Sequence, residues 1–127
     1  MISVDTSHWI ARLIPRDRRH ADAAVSLSTA SSRLVTPTLV AAETWTFLHE
    51  RAGHRRVTLW LDAILGEIAV TVERFDDEAR AWLRVQDERP YSFVDATSFV
   101  LMRKLQITDA LAFDGGFTAA GFDERRP

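Results

Sequence analysis

Two hydrophobic periods share this chain. Short apolar runs alternate with stretches in which apolar residues fall three and four apart, the signatures of buried strands and of one-sided helices. Ile2 to Asp5 reads as a short buried strand. Thr6 or Ser7 then caps a helix through Trp9 and Leu13 to Pro15, and Asp17 can cap a second from about Arg18 to Ala30. Leu34-Val35 is a second strand. Thr36-Pro37 predicts a helix start, with threonine as N-cap and proline in the first turn, and this helix runs to about Arg51, where Gly53 stops it. Arg55 to Leu65 is helical, with Val57, Trp60 and Leu61 on one face. Ile68 to Val72 is the clearest strand. Asp76 or Asp77 caps a helix through Trp82 and Val85, ended by Pro90; Asp95 opens another through Phe99, Met102 and Leu105. A last strand lies within Ile107 to Phe113, broken by Gly115-Gly116.

Strands that alternate with helices predict an α/β fold around a mostly parallel sheet. Length and pattern fit one domain over residues 1–127, with no repeat, linker or low-complexity segment. Hydrophobic residues make up 46% of the chain, enough for a core. No run approaches the length needed to cross a bilayer, and Met1 to Asp5 lacks the features of a signal peptide. The chain has no cysteine, which excludes disulfides, zinc ribbons and thiol catalysis. A cytosolic location is the simplest reading. The net charge of -2 does not advertise nucleic-acid binding, but Lys104 is the single lysine among 16 basic residues. Arginine grips phosphate with two parallel hydrogen bonds; a GC-rich genome accounts for the bias equally simply. Arg16, Arg18, Arg19, Arg51, Arg55 and Arg56 are the candidates for phosphate contacts.

Four acids stand out against this pattern. Asp5 and Asp114 close apolar runs, Asp95 follows Tyr91-Ser92-Phe93-Val94, and Glu43 interrupts the run from Leu39 to Leu48. Ligands of parallel sheets bind beyond the carboxyl ends of the strands, and all four acids can face that crevice. Carboxylates drawn together from distant segments repel one another unless a cation holds them. Mg²⁺ or Mn²⁺ suits such oxygen donors, and hydrolysis of phosphodiesters suits Mg²⁺ or Mn²⁺. Taken singly, Asp5 and Asp95 could be helix caps and Asp114 a turn residue. Glu43 is harder to dismiss, because its sequence neighbours are apolar. Asp17, Asp62, Asp76, Asp77, Glu78, Asp87 and Glu88 sit in polar runs and read as caps or solvated positions. Thr6 and Ser98 are candidates to orient a ligand carboxylate or a metal-bound water. His8, His20, His49 and His54 lack metal-binding spacing and read as structural or solvent-facing. Trp9, Trp45, Trp60 and Trp82 read as core or interface residues.

With these residues in view, the chain resembles a PIN-domain ribonuclease of the VapC type, the toxin of bacterial type II toxin–antitoxin systems. The resemblance rests on Val4-Asp5-Thr6-Ser7, on Glu43 in the helix after Thr36-Pro37, on Ser92 to Phe99, and on Ala110 to Phe117 followed by Ala120-Gly121-Phe122. It implies a PIN-like three-layer α/β/α sandwich. It also implies Mg²⁺- or Mn²⁺-dependent endonucleolytic cleavage of RNA, commonly tRNA or rRNA. Asp5, Glu43 and Asp95 match the family's acidic triad and Asp114 its fourth acid. Many relatives carry an acid or histidine where this chain has Gly116. A cognate VapB-type antitoxin, entering the acidic groove through its C-terminal segment, and a homodimer are implied partners. An exposed apolar surface including Trp45 and Phe47 could serve both contacts. A housekeeping PIN ribonuclease and a non-catalytic PIN scaffold that binds RNA or protein are the competing readings. A receiver-type phosphoryl-transfer domain would want a paired acid beside the first-strand aspartate or a lysine near the last strand, whereas Asp5 is followed by Thr-Ser and Lys104 falls in a helix before that strand.

Overall fold

Ile2–Val4 forms β1, and its residues alternate between two buried environments. Ile2 and Val4 face a core with Trp9, Val40, Leu48, Val57, Trp60 and Leu111. Ser3, equally buried, points to the other side. The computed structural model describes residues 1–67, 69–71, 75–86 and 88–125. Among them the elements that follow β1 are α1 (Thr6–Leu13), α2 (His20–Thr29), β2 (Leu34–Pro37), α3 (Thr38–Ala52) and α4 (His54–Glu67). Then come β3 (Ala69–Thr71), α5 (Asp76–Val85), α6 (Phe93–Lys104), β4 (Asp109–Leu111), α7 (Gly116–Ala119) and β5 (Asp123–Glu124).

The strands pair in the order β3-β2-β1-β4-β5, every pair parallel. Chain order runs outward from β1 to β3 and then crosses to β4 on its other side. The reversal leaves a crevice between the carboxyl ends of β1 and β4, the place where ligands of parallel sheets bind. Val4 is in register with Leu111, and the Asp5 amide donates to the Leu111 carbonyl at 2.9 Å. Residues 5 and 114 therefore leave adjacent central strands at the same end.

Helices cover both faces, which gives the three-layer α/β/α sandwich. Residues of α1, α3 and α4 pack on the Ile2/Val4/Leu111 side. On the other side Val35, Ala110 and Ala112 meet Phe99, Met102, Phe117 and Phe122. The small Ser3, Ala110 and Ala112 let α6 lie close to the strands. It is buried without a break from Ala96 to Met102, the mark of a helix enclosed on all sides. Trp9 ties α1 to the sheet, its indole N–H donating to Thr36 Oγ1 at 3.1 Å and its ring edge meeting Trp60.

Several expected boundaries move. Thr36 and Pro37 complete β2 rather than opening the helix, and Pro37 is the N-cap of α3. Asp5, not Thr6 or Ser7, caps α1. Arg19 rather than Asp17 stands at the N-cap of α2. Phe75 takes that place before α5, which ends at Val85, well short of Pro90. Gly53, at φ 87, does terminate α3. Of the strand expected over Ile68–Val72, Ala69–Thr71 form β3, while Ile68 and Val72 lie outside the described residues, as does Asp87. The pair Gly115-Gly116 does more than end a strand: Gly115, in the left-handed region at φ 79, precedes the single turn of α7. No helix among the described residues is long and apolar enough to cross a membrane.

Candidate active site

Asp5 sits at the crevice because β1 ends there, and it stays because its side chain is the N-cap of α1. Its Oδ2 accepts from the Ser7 amide at 3.2 Å and from the Ser7 hydroxyl at 2.8 Å. Asp95 arrives from the opposite layer. Ser92 caps α6 and forms a reciprocal pair with Asp95: the Asp95 amide donates to Ser92 Oγ at 2.9 Å, and the Ser92 amide donates to Asp95 Oδ2 at 3.1 Å. Asp114 follows β4, and its Oδ1 accepts from the Gly116 amide at 2.8 Å. Each carboxylate thus has one oxygen engaged locally.

The three acids act on one another electrostatically. Burial raises the Asp5 carboxyl to about 7; the two hydrogen bonds from Ser7 oppose this, and the charges of Asp114 and Asp95 add to it. Burial likewise raises Asp95, opposed by Ser92 and Arg89 and reinforced by Asp114. Asp5 is only 5% exposed, and among the described residues it forms no ion pair. A buried carboxylate with other acids for company and no cation is costly.

Glu43 departs from expectation. It is exposed rather than buried, because helical phase places it beside Ala42, Thr46 and Glu50 on the outer stripe of α3, while Val40, Ala41, Thr44 and Leu48 point inward. Its apolar neighbours flank it in sequence, not in space. It lies in the wall of a groove with Leu39, Phe47, Arg51 and Val94, the last being the residue before Asp95. Nor does Asp95 follow a strand, since α6 begins at Phe93. Trp45 and Phe47 are half-buried against the core rather than openly exposed.

Thr6 Oγ1 and Ser98 Oγ are buried and without a hydrogen-bond partner among the described residues. Thr6 follows Asp5, and Ser98 lies one turn along α6 from Asp95. Orphaned hydroxyls beside crowded carboxylates are what a hydrated cation satisfies. The donor chemistry therefore fits a hard divalent ion. The side chains as placed do not enclose one: among the described residues no three acids or histidines are gathered closely enough to hold a metal. Gly116 bears on Asp114 directly, because a Cβ there meets Asp114 Oδ1 at 3.1 Å. The glycine gives the fourth acid space that a larger residue takes away.

One residue was undervalued by sequence reasoning. Ser7 links two segments, since its hydroxyl donates to Asp5 and accepts the Phe113 amide at 3.1 Å. Its adjacency to Asp5 was visible, but not that it, rather than Thr6, faces the carboxylate. Ser7→Ala is expected to cost about 1–3 kcal/mol through the lost hydrogen bonds. It is also expected to raise the pH at which activity reaches half its maximum, because Asp5 loses the hydroxyl donor and keeps only the backbone one. Urea denaturation and a pH–rate profile check the two effects. His8 is structural, as expected, but fully buried, stacked on Phe113 at 5.1 Å with neither ring nitrogen hydrogen-bonded among the described residues. Burial lowers its pKa to about 4. His20 Nδ1 lies 2.9 Å from the Ala11 carbonyl, and His49 and His54 contact each other at the turn between α3 and α4. Asp109 pairs with Arg125 at the start of β4, away from the crevice.

Comparison with known proteins agrees with the fold. The family model described as PIN domain matches residues 2–123. Two relatives from Mycobacterium tuberculosis, strains CDC 1551 / Oshkosh and ATCC 25618 / H37Rv, are each named 23S rRNA-specific endonuclease VapC20. Each is 44% identical over 131 positions, covering 100% of this chain and 99% of the relative. The crystal structure of Mycobacterium tuberculosis VapC20, described as a Sarcin-Ricin loop cleaving toxin, superposes with a TM-score of 0.92, at 44% identity and with full coverage of both chains.

Proposed function

The chain belongs to the PIN-domain family, and from that premise we propose that it is a VapC-type toxin: an endoribonuclease that hydrolyses 23S rRNA with Mg²⁺ or Mn²⁺. The observation that carries the reading is that Asp5, Asp95 and Asp114, from three separate segments, lie near enough at the switch point of the sheet to act on one another's charge. Full-length similarity to endonucleases named for 23S rRNA favours rRNA over tRNA. Residues 1–127 are one PIN domain, active in the cytoplasm.

Asp5, Asp95 and Asp114 would hold the ion, with Glu43 of the α3 wall as the further acid. Bound Mg²⁺ or Mn²⁺ supplies positive charge that stabilises the scissile phosphate and acidifies a water. The chain's own residues prepare that chemistry. Ser7 fixes the Asp5 carboxylate, and Ser92 fixes Asp95. Thr6 and Ser98 offer hydroxyls to the same space. Asp5 would have to release its proton to serve as a ligand, so activity is expected to fall as the pH is lowered. A VapB-type antitoxin is the proposed silencing partner and a homodimer the proposed assembly, both on the strength of the VapC relationship.

The chemistry of the product ends tests the reading. Attack by water leaves a 5′-phosphate and a 3′-hydroxyl. A 2′,3′-cyclic phosphate at the cut overturns it, because that end arises from attack by the RNA's own 2′-hydroxyl.

A further inference from the structure

Two arginines reach the same dipeptide beside the carboxylates. Arg19, in the connection between α1 and α2, donates Nη1 to the Phe113 carbonyl, with its guanidinium 5.1 Å from the Phe113 ring centroid. Arg89, in the connection between α5 and α6, donates Nη2 to the Asp114 carbonyl at 3.0 Å and lies 5.8 Å from the Tyr91 ring centroid. These connections belong to opposite layers of the sandwich, so the Asp114 segment is held from both sides of the sheet.

Neither arginine forms an ion pair among the described residues, although Asp114 is adjacent to both contacts and Arg89 lowers the Asp95 pKa. Among the described residues the ion pairs are those of Arg80, Lys104 and Arg125, which lie elsewhere. A guanidinium carries five N–H donors in a planar fork, and one carbonyl uses one of them. The contact with carbonyl and ring fixes each group's orientation while leaving its charge and remaining donors uncommitted. On the Arg19 side the surface is a groove shared by Ser7, Asp17, Arg18, Phe113 and Asp114. On the other side Arg89 is exposed. An acidic centre repels the polyanion that it must cut, so cationic groups at its rim are needed to seat the strand.

We propose that Arg19 and Arg89 are the substrate-positioning pair of this centre, taking the RNA phosphates on the two sides of the scissile one. The inference rests on the endoribonuclease reading above. Both residues act on the strand as a whole, so they set binding and register and leave the hydrolytic chemistry to the acids.

The experiment uses a synthetic RNA stem–loop carrying the sarcin–ricin loop of 23S rRNA. Binding is measured in EDTA, where the RNA stays intact, over a series of salt concentrations. Each phosphate contact contributes about 0.7 to 0.9 to the slope of log K against log salt. Arg19→Ala and Arg89→Ala are each expected to lower the slope by about that amount, and the double variant by about twice it. Lysine at either position is expected to restore most of the slope, because it keeps the charge. Unchanged slopes, with any loss confined to thermal stability, overturn the proposal and leave the arginines as struts of the 113–114 segment. A parallel reaction in Mn²⁺ separates the two levels. Cleavage by the parent chain upholds the endoribonuclease reading whatever the slopes show, whereas a parent that neither binds nor cuts this RNA overturns both.

Discussion

Asp5→Asn is expected to reduce RNA cleavage by about three orders of magnitude or more, the several kcal/mol that a metal-dependent centre contributes to the transition state. The same substitution is expected to make the metal-free protein more stable at pH 8. Both effects have one cause. The folded-state pKa of Asp5 lies near 7, above its ordinary value of 3.8. Between those values the folded chain binds more protons than the unfolded one, so stability falls as pH rises, by roughly 4 kcal/mol once Asp5 is ionised. An amide in place of the carboxylate keeps the shape of the side chain and removes the charge. Urea denaturation in EDTA at pH 8 gives the stability difference, and cleavage assays in Mn²⁺ give the loss of activity. An inactive variant no more stable than its parent contradicts the view that Asp5 is a buried charge awaiting a cation.

The second large effect is a pair of opposed pH dependences. His8 is fully buried, and its pKa falls from 6.5 to about 4. Between pH 4 and 6.5 the unfolded chain therefore binds the extra proton, and stability rises with pH by roughly 3 kcal/mol from this residue. Asp5, helped by the raised pKa of Asp95, acts in the other direction across nearly the same window. The parent protein in EDTA is accordingly expected to show a shallow profile between pH 4 and 6.5. Asp5→Asn unmasks the histidine, and stability climbs with pH. His8→Leu removes it, and stability declines with pH. Urea midpoints at half-unit intervals across the range resolve the three profiles. Parallel profiles for parent and Asp5→Asn contradict the assignment of Asp5.

The fold was legible in the sequence where local and global signals agree. The buried run at Ile2 to Val4, the helix ended by Gly53 and the enclosed helix around Phe99 announce their environments by composition and spacing. The one-turn α7 and the two-residue β5 were not, because elements so short leave no period to read. In the site, the bland readings of three acids hold, and they are compatible with the functional one. Asp5 caps α1, Asp95 closes a capping box and Asp114 binds the turn at Gly116, each with one oxygen, and the three lie near enough to act on one another's charge. The local roles place them there. Only the burial of Glu43 was misjudged, because an apolar sequence context says nothing about helical phase. Arg89 left no trace at all, since its partner carbonyl is 25 residues away and an arginine–carbonyl contact has no pattern in sequence.

The sharpest test is primer extension along 23S rRNA after incubation with the purified protein in Mn²⁺, beside the Asp95→Asn variant and an EDTA control. One stop within the sarcin–ricin loop, absent from both controls, is the predicted result. A stop that persists in EDTA or with Asp95→Asn, or an rRNA left intact by the folded, antitoxin-free parent, contradicts the assignment of this acidic centre as a metal-dependent endoribonuclease.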